Sequence, residues 1–460
     1  MGYLKKESDL PKPMRHQVES LKHDQENDIV FDNSDAGTGK TAVRIWGFAS
    51  RRKQRGYGCL LVVATKSLLE AAWAKDLRTF APHLVYSIAR ADNRERAFEA
   101  DADVYITNHD AVKWLAAQPV GFFKRFSEIV IDESTAFKHS TSQRSKAALK
   151  IVKHFKKRAL LTATPTSNGI TDIWHQALLL DDGRALGQNF FKFRSTVQTP
   201  HQVGRIAQAI RWEDKPGAAD VVYHQLGPMM LRHRLDDCVD MPGNHQYSVE
   251  YKLPAKQKAA YDELERTSVL VLREAKKVSA INAAAVHTKL LQVASGAVYS
   301  EAGEYSLVDT GRYELVMDMA AERPGALVFF LWKHQRDYMV AEAARRGLRF
   351  AALDGDAPQR MRDAAIQAYQ AGKLDVLFAH PASAAHGLTL TYGTSTIWAS
   401  PTYNLELFVQ GSSRQHRVGQ KRKCETIVIV APGTKDEDAW RVMQGKGDRM
   451  NLFLSLVDGK

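Results

Sequence analysis

Six side chains carry the chemistry legible in this sequence. Lys40 and Thr41 follow the glycine turn Asp35-Ala36-Gly37-Thr38-Gly39. Asp132 and Glu133 end an apolar run, and Arg414 and Arg417 stand three apart in residues 410–420, QGSSRQHRVGQ. A lysine after such a turn reaches the terminal phosphates of a nucleotide, and the adjoining threonine hydroxyl binds Mg2+. Gly37 and Gly39 let backbone N–H groups turn inward with no Cβ in the way. Those amides and a helix N-terminus make an anion cradle. The usual first glycine of the GxxxxGK[ST] spacing is here Ser34. Downstream, Asp132 suits a magnesium ion, and Glu133 suits the orientation and deprotonation of an attacking water. Two arginines from a distant part of the chain suit the charge that develops on a transferring phosphoryl group. A basic DNA-binding helix is the other reading of that pair, given Lys421-Arg422-Lys423 just after it.

These side chains need strands and helices to hold them. Ile29-Val30-Phe31 reads as a buried strand entering the glycine turn, and the stretch from Ala42 to Ala49 as the helix leaving it. Residues 14–24 read as a short helix ahead of it. An amide at Gln17 there offers a purine edge a paired donor and acceptor, a role its position alone does not establish. CLLVVAT, residues 59–65, is a continuous apolar run of the kind found in central parallel strands. Thr65-Lys66-Ser67 follow at its C-terminal end, where parallel sheets place ligands. Trp73, further on, reads as a packing residue. Val104–Thr107 is a further strand, ending in Asn108-His109-Asp110. Ile129-Val130-Ile131 is the strand before the carboxylates, and Ala159–Thr162 the one before Thr164-Pro165, whose small hydroxyls could sense a γ-phosphate. Residues 153–158, KHFKKR, read equally as a solvated helix face or a DNA contact. From about residue 170 to 320 the strand pattern stops and helical patterns take over, as in 254–274 and 283–295. Strand-helix alternation then resumes at 326–331, 350–353, 374–379, 395–399 and 426–430, with a helix over 360–371.

Composition bounds the classes. The chain has 460 residues, enough for two or three domains. Its 64 Lys plus Arg against 52 Asp plus Glu give +12, a balance that favours a polyanionic partner. Cys59, Cys238 and Cys424 lie too far apart for a disulfide framework or a zinc spacing, which points to a reducing compartment. No apolar run reaches membrane-spanning length. The N-terminus, MGYLKKESDL, matches neither a signal peptide nor a myristoylation site.

In this order the pieces resemble the superfamily-two helicase-like ATPases, and most of all their Snf-type branch in its compact phage and bacterial forms. DAGTGKT is similar to that family's nucleotide-binding motif, and DEST stands where it has Asp-Glu-Ala-His or a variant. LLTATPTSN resembles its Leu-Thr-Gly-Thr-Pro element with Ala163 for glycine. Met230-Leu231-Arg232 is similar to its Leu-Arg signature, and Leu353-Asp354-Gly355 with Arg362 to its Leu-Asp-Gly element. HPASAAHGLTL is similar to a DNA-contacting loop, with Ala385 for glycine and Thr389 for asparagine. QGSSRQHRVGQ resembles the arginine-finger motif, with Ser413 for a frequent aspartate.

The resemblance implies an α/β fold of two RecA-like parallel-sheet lobes with an inserted helical region and a nucleotide cleft between the lobes. Residues 1–170 would form the ATP-binding lobe, 171–320 the mainly helical insertions and connection, and 321–460 the second lobe. It implies ATP and Mg2+ as cofactors. The catalytic residues would be Lys40, Asp132, Glu133, Arg414 and Arg417. ATP would meet Gln17, Asp35, Gly37, Thr38, Gly39, Lys40, Thr41, Gly387, Arg414 and Arg417; the metal would meet Thr41 and Asp132. DNA would meet Thr65, Lys66, Ser67, Asn108, His109, Thr164, Lys333, Ser383, His386 and Thr389. The expected activity is a DNA-stimulated ATPase that translocates on double-stranded DNA, in a monomer or loose associate of a bacterial or phage-infected cytoplasm. A strand-separating helicase on single-stranded DNA or RNA, and an ATP-switched clamp that does not move, are the alternatives.

Overall fold

Most of the apolar runs become parallel strands in the computed structural model, which describes residues 10–203, 210–274, 280–355, 358–384 and 388–458. The chain divides into two units, Met1–Asp240 with Lys446–Lys460, and Met241–Gly445. In the first lie β1 (Ile29–Asp32), β2 (Cys59–Ala64), β3 (Tyr86–Ala89), β4 (Val104–Asn108), β5 (Phe126–Asp132) and β6 (Lys157–Leu161). An antiparallel pair, β7 (Gln198–Gln202) and β8 (Ile210–Asp214), precedes the short β9 (Met230–Leu231). The sheet runs β3-β4-β2-β5-β6-β1-β9 with every pairing parallel. Leu60, Val62, Val104, Ile106 and Val130 pack with Ile45, Phe48, Trp73 and Leu77 of the flanking helices. Burial on both faces is why these strands read as unbroken apolar runs.

Parallel pairing brings all the strand ends to one edge. Asp32 is in register with Leu161, Leu161 with Asp132, and Ala64 with Asn108. The glycine turn, Thr65–Ser67, His109, Glu133 and Thr162 all follow at that edge.

The second unit holds β10 (Asn244–Glu250), the hairpin β11 (Ala297–Tyr299) and β12 (Tyr305–Leu307), β13 (Ala326–Phe329), β14 (Phe350–Leu353), β15 (Val376–Ala379), β16 (Ser395–Trp398) and β17 (Cys424–Val430). Its sheet runs β10-β17-β16-β13-β15-β14, again all parallel. The helices Ala255–Glu274 and Ala280–Ala294 fall where helical periodicity placed them.

Two expectations need correction. The interval from 170 to 320 is not free of strands: β9 extends the first sheet beside β1, and β10 the second beside β17. β9 has two residues, too few to show a period, and β10 is a largely exposed edge strand of polar composition. Lys157 and Arg158 are neither a solvated helix face nor a DNA contact; they open β6 and are buried. The Lys157 ammonium donates to the carbonyls of Asp24 (2.5 Å) and Asn27 (2.7 Å). The Arg158 guanidinium donates to those of Phe155, Leu179 and Leu180. Buried cations that find this many acceptors satisfy the rule that buried charge must be paired or hydrogen-bonded.

Candidate functional site

The glycine turn is shaped by two left-handed residues, Gly37 (φ 95°) and Gly39 (φ 83°). Gly39 caps the helix Lys40–Arg52, and a Cβ there would stand 2.3 Å from Gln17 Nε2. The loop is braced from outside. Gln17 Nε2 donates to the Thr38 carbonyl (3.2 Å), and His16 Nε2 bonds the same oxygen (2.8 Å). Gln17 Oε1 meanwhile accepts the Met14 N–H at 2.9 Å. Both ends of the amide expected to read a purine edge are therefore engaged within the protein, and the residue is buried. Thr38 Oγ1 donates to the Asp35 carbonyl, and Lys40 Nζ donates to the carbonyls of Ser34 (2.5 Å) and Asp35 (3.0 Å).

A second brace comes from the segment after β9, which sequence reasoning did not assign to this loop. Ser34 Oγ accepts the His233 N–H (3.0 Å), so the hydroxyl standing in for glycine has a structural partner. Asp35 accepts the Leu235 N–H (3.1 Å) and pairs with Arg232 at 3.2 Å. Arg232 also bonds the Asn33 carbonyl and pairs with Asp458.

The carboxylates stand at the tip of β5. Asp132 is buried, with Oδ1 accepting the Glu133 N–H (2.9 Å) and Oδ2 the Trp73 indole N–H (2.9 Å). Burial pushes the Asp132 carboxyl above the ordinary range. The Trp73 bond, the Lys40 charge and the Glu133 amide pull it back, while Asp32 adds to the rise. Glu133 has φ 52°, a left-handed conformation unusual for a side chain with a Cβ. Such strain clusters at functional sites, and here it turns the chain sharply after the strand.

The other strand-end residues divide by exposure. Lys66 and Ser67 are exposed and Thr65 half-buried, with Thr65 Oγ1 3.3 Å from Ser67 Oγ. Asn108, His109 and Thr164 are buried. His109 Nε2 bonds the Asp132 carbonyl (2.7 Å), which ties the end of β4 to the carboxylate strand. Thr162 Oγ1 meets Thr135 Oγ1 at 2.7 Å and accepts the Thr164 N–H, so the tips of β5 and β6 are hydrogen-bonded together. Trp73 is buried in the core as expected, but its bond to Asp132 was not legible in the sequence.

In the second unit Arg414 and Arg417 do not share a helix face. The helix Leu405–Ser412 ends before them, with Ser413 Oγ bonding back to the Val409 carbonyl. Serines that compete for backbone acceptors favour helix ends. The arginines are nonetheless brought together, since both donate to the Leu388 carbonyl, at 3.1 Å from Arg414 and 2.8 Å from Arg417. Arg414 is 3% exposed and Arg417 half-buried. Lys333 is exposed at the start of the helix Lys333–Arg345, just after β13, and Thr389 is exposed. The Ser383 carbonyl accepts from Arg362, which also bonds the Asp354 carbonyl. His386 and Gly387 lie outside the described residues. Lys421, Arg422 and Lys423 are all exposed.

Among the described residues no group of three His, Cys, Asp or Glu is placed to hold a metal ion, and no helix is long and apolar enough to cross a membrane. The Asp132 carboxylate and the Thr41 hydroxyl are hard oxygen donors of the kind magnesium takes beside phosphate and water. Each Asp132 oxygen accepts one hydrogen bond and retains a second lone pair. The residues present therefore fit magnesium.

Residues 14–295 match the SNF2-related domain, and residues 311–419 the helicase conserved C-terminal domain. A putative protein p41 of Acyrthosiphon pisum secondary endosymbiont phage 1 is 31% identical over 377 residues, covering 78% of each chain. A Caenorhabditis elegans homolog of SWI/SNF-related matrix-associated actin-dependent regulator of chromatin subfamily A-like protein 1 is 25% identical over 396 residues. That match covers 85% of this chain and 54% of the relative. The chain spans as little as 38% of other relatives, such as the ISWI chromatin-remodeling complex ATPase CHR17 of Arabidopsis thaliana. Among solved structures, the Sulfolobus solfataricus SWI2/SNF2 ATPase core in complex with dsDNA matches with a TM-score of 0.46 at 19% identity, over 98% of this chain and 97% of that one.

Proposed function

The chain belongs to the SNF2-related family of helicase-like ATPases, and from that premise we propose that it hydrolyses ATP in response to double-stranded DNA and moves along the duplex. The observation that carries this reading is the meeting of the phosphate loop and the Asp132-Glu133 pair at one edge of a single parallel sheet. The inward-turned amides around Gly37 and Gly39 bind the phosphates, and Lys40 exchanges the Ser34 and Asp35 carbonyls for phosphate oxygens. Thr41 and Asp132 would hold magnesium, which would supply neutralisation of the phosphate charge. Glu133 orients the attacking water and takes its proton. Arg417 supplies positive charge to a transferring phosphoryl group, and Arg414 donates to the same Leu388 carbonyl as Arg417 does.

Duplex DNA as the partner is supported by the net charge of +12 and by exposed cations at Lys66, Lys333 and 421–423. The test is the ATPase rate with duplex DNA, single-stranded DNA, RNA and no nucleic acid. Stimulation by duplex above all others is expected. Equal rates in all four arms would refute DNA as the activator, and stimulation by RNA alone would replace it.

A further inference from the structure

Trp73 sits where two features coincide. Its ring is 0% exposed, packed against the core beside Leu69, Ala74 and Leu77. Its segment, Leu69–Ala74, is a π-helix that runs into the α-helix Lys75–Phe80. A π-turn holds one residue more than an α-turn, re-aims the side chains after it, and recurs at functional sites. Here the segment begins just after Thr65–Ser67 and delivers the indole N–H to Asp132 Oδ2, at 2.9 Å.

Packing alone would not require this. A phenylalanine fills a core position of this kind without a polar atom, whereas a buried indole N–H must find an acceptor. The acceptor it finds is the metal-facing carboxylate. Asp132 Oδ1 is already held by the Glu133 N–H, and the Asp132 carbonyl by His109. The His109 contact fixes where the strand tip lies; the Glu133 N–H holds one carboxylate oxygen and the Trp73 N–H the other, so that the two together set the carboxylate's rotation. An indole donates and cannot accept, so the bond also favours the ionised form that a cation needs.

We infer that Trp73 is a positioning residue for the Asp132 carboxylate, setting the lone pairs it turns toward magnesium and the nucleotide. This rests on the reading of Asp132 as the metal-facing carboxylate.

The experiment uses Trp73→Phe, Asp132→Ala and the double variant in the full chain. Binding of a fluorescent ATP analogue is titrated against magnesium, with thermal unfolding as a control for folding. Asp132→Ala is expected to raise the magnesium needed for half-maximal nucleotide binding. Trp73→Phe is expected to raise it roughly tenfold, the scale of one lost hydrogen bond to a charged group, with binding in excess EDTA unchanged. Trp73→Phe added to Asp132→Ala is expected to cause no further shift, since the two act through one group. A Trp73→Phe curve that overlays wild type, while Asp132→Ala shifts, overturns the positioning role alone. An unshifted Asp132→Ala overturns the metal reading beneath it. A Trp73→Phe shift that persists in full on Asp132→Ala assigns the effect to core packing and overturns the inference.

Discussion

Gly39→Ala should cost the phosphate loop far more than one methyl group. Gly39 sits at φ 83°, where a residue with a Cβ is strained by about 1–2 kcal/mol. The added Cβ would also stand 2.3 Å from Gln17 Nε2, so the amide must leave. Leaving ends its bonds to the Thr38 carbonyl (3.2 Å) and from the Met14 N–H (2.9 Å), each worth about 1 kcal/mol. The total is about 3–4 kcal/mol. Gln17→Ala alone loses the same two bonds, about 2 kcal/mol. The double variant loses them only once, so its cost should stay near 3–4 kcal/mol and fall short of the summed singles by about 2 kcal/mol. Urea unfolding of the four proteins followed by tryptophan fluorescence measures this coupling. Costs that add to within about 0.5 kcal/mol would show that Gln17 does not occupy the space above Gly39.

Asp24→Asn should destabilise by about 3–5 kcal/mol in chemical unfolding, because Asp24 is 1% exposed and pairs with Arg44, Arg51 and Lys157; added Lys157→Met should recover part of the loss by removing one of the stranded cations. His334 is buried, and burial holds its pKa down to about 4 from 6.5. The folded state therefore favours the neutral ring, and stability that is complete above pH 6.5 should fall by about 3 kcal/mol between pH 6.5 and 4, a slope that His334→Gln should flatten in unfolding curves taken across that range. Replacing Lys421, Arg422 and Lys423 with alanine should reduce the salt slope of duplex binding by up to about 3 if each meets a phosphate; an unchanged slope makes them an ordinary solvated loop. Arg417→Ala should lower DNA-stimulated hydrolysis by about 10³–10⁵ while ATP still binds, with little rescue by Arg417→Lys; recovery of the wild-type plateau at saturating DNA would make it a DNA contact instead.

The strands that carry the site were legible because a sheet covered on both faces requires unbroken apolar runs. Ile29–Phe31, Cys59–Ala64 and Ile129–Ile131 all show this signal. The glycine turn was legible because Gly37 and Gly39 adopt φ values that other residues avoid. Lys157 and Arg158 were misread because charge marks a surface unless buried acceptors exist, and those acceptors come from Asp24, Asn27 and the Leu179–Leu180 carbonyls, far away in sequence. Spacing placed Arg414 and Arg417 on one helix face; the helix stops at Ser412, and the shared Leu388 carbonyl gathers the pair instead. The bonds of Trp73 and His109 to Asp132, and those of the Arg232–Leu235 segment to the glycine turn, join residues far apart in sequence, so local pattern showed the residues but not these partners.

In the proposed function, ATP hydrolysis moves this protein along duplex DNA. Displacement of a third strand from a duplex measures that directly, with Glu133→Gln as the control that keeps nucleotide and DNA binding but loses the water-activating carboxylate. Such movement predicts ATP-dependent displacement by the wild type and none by Glu133→Gln, with no unwinding of a forked duplex under the same conditions. Duplex-stimulated hydrolysis without any displacement would contradict it and leave a clamp switched by ATP; unwinding of the fork would contradict it in favour of a strand-separating helicase.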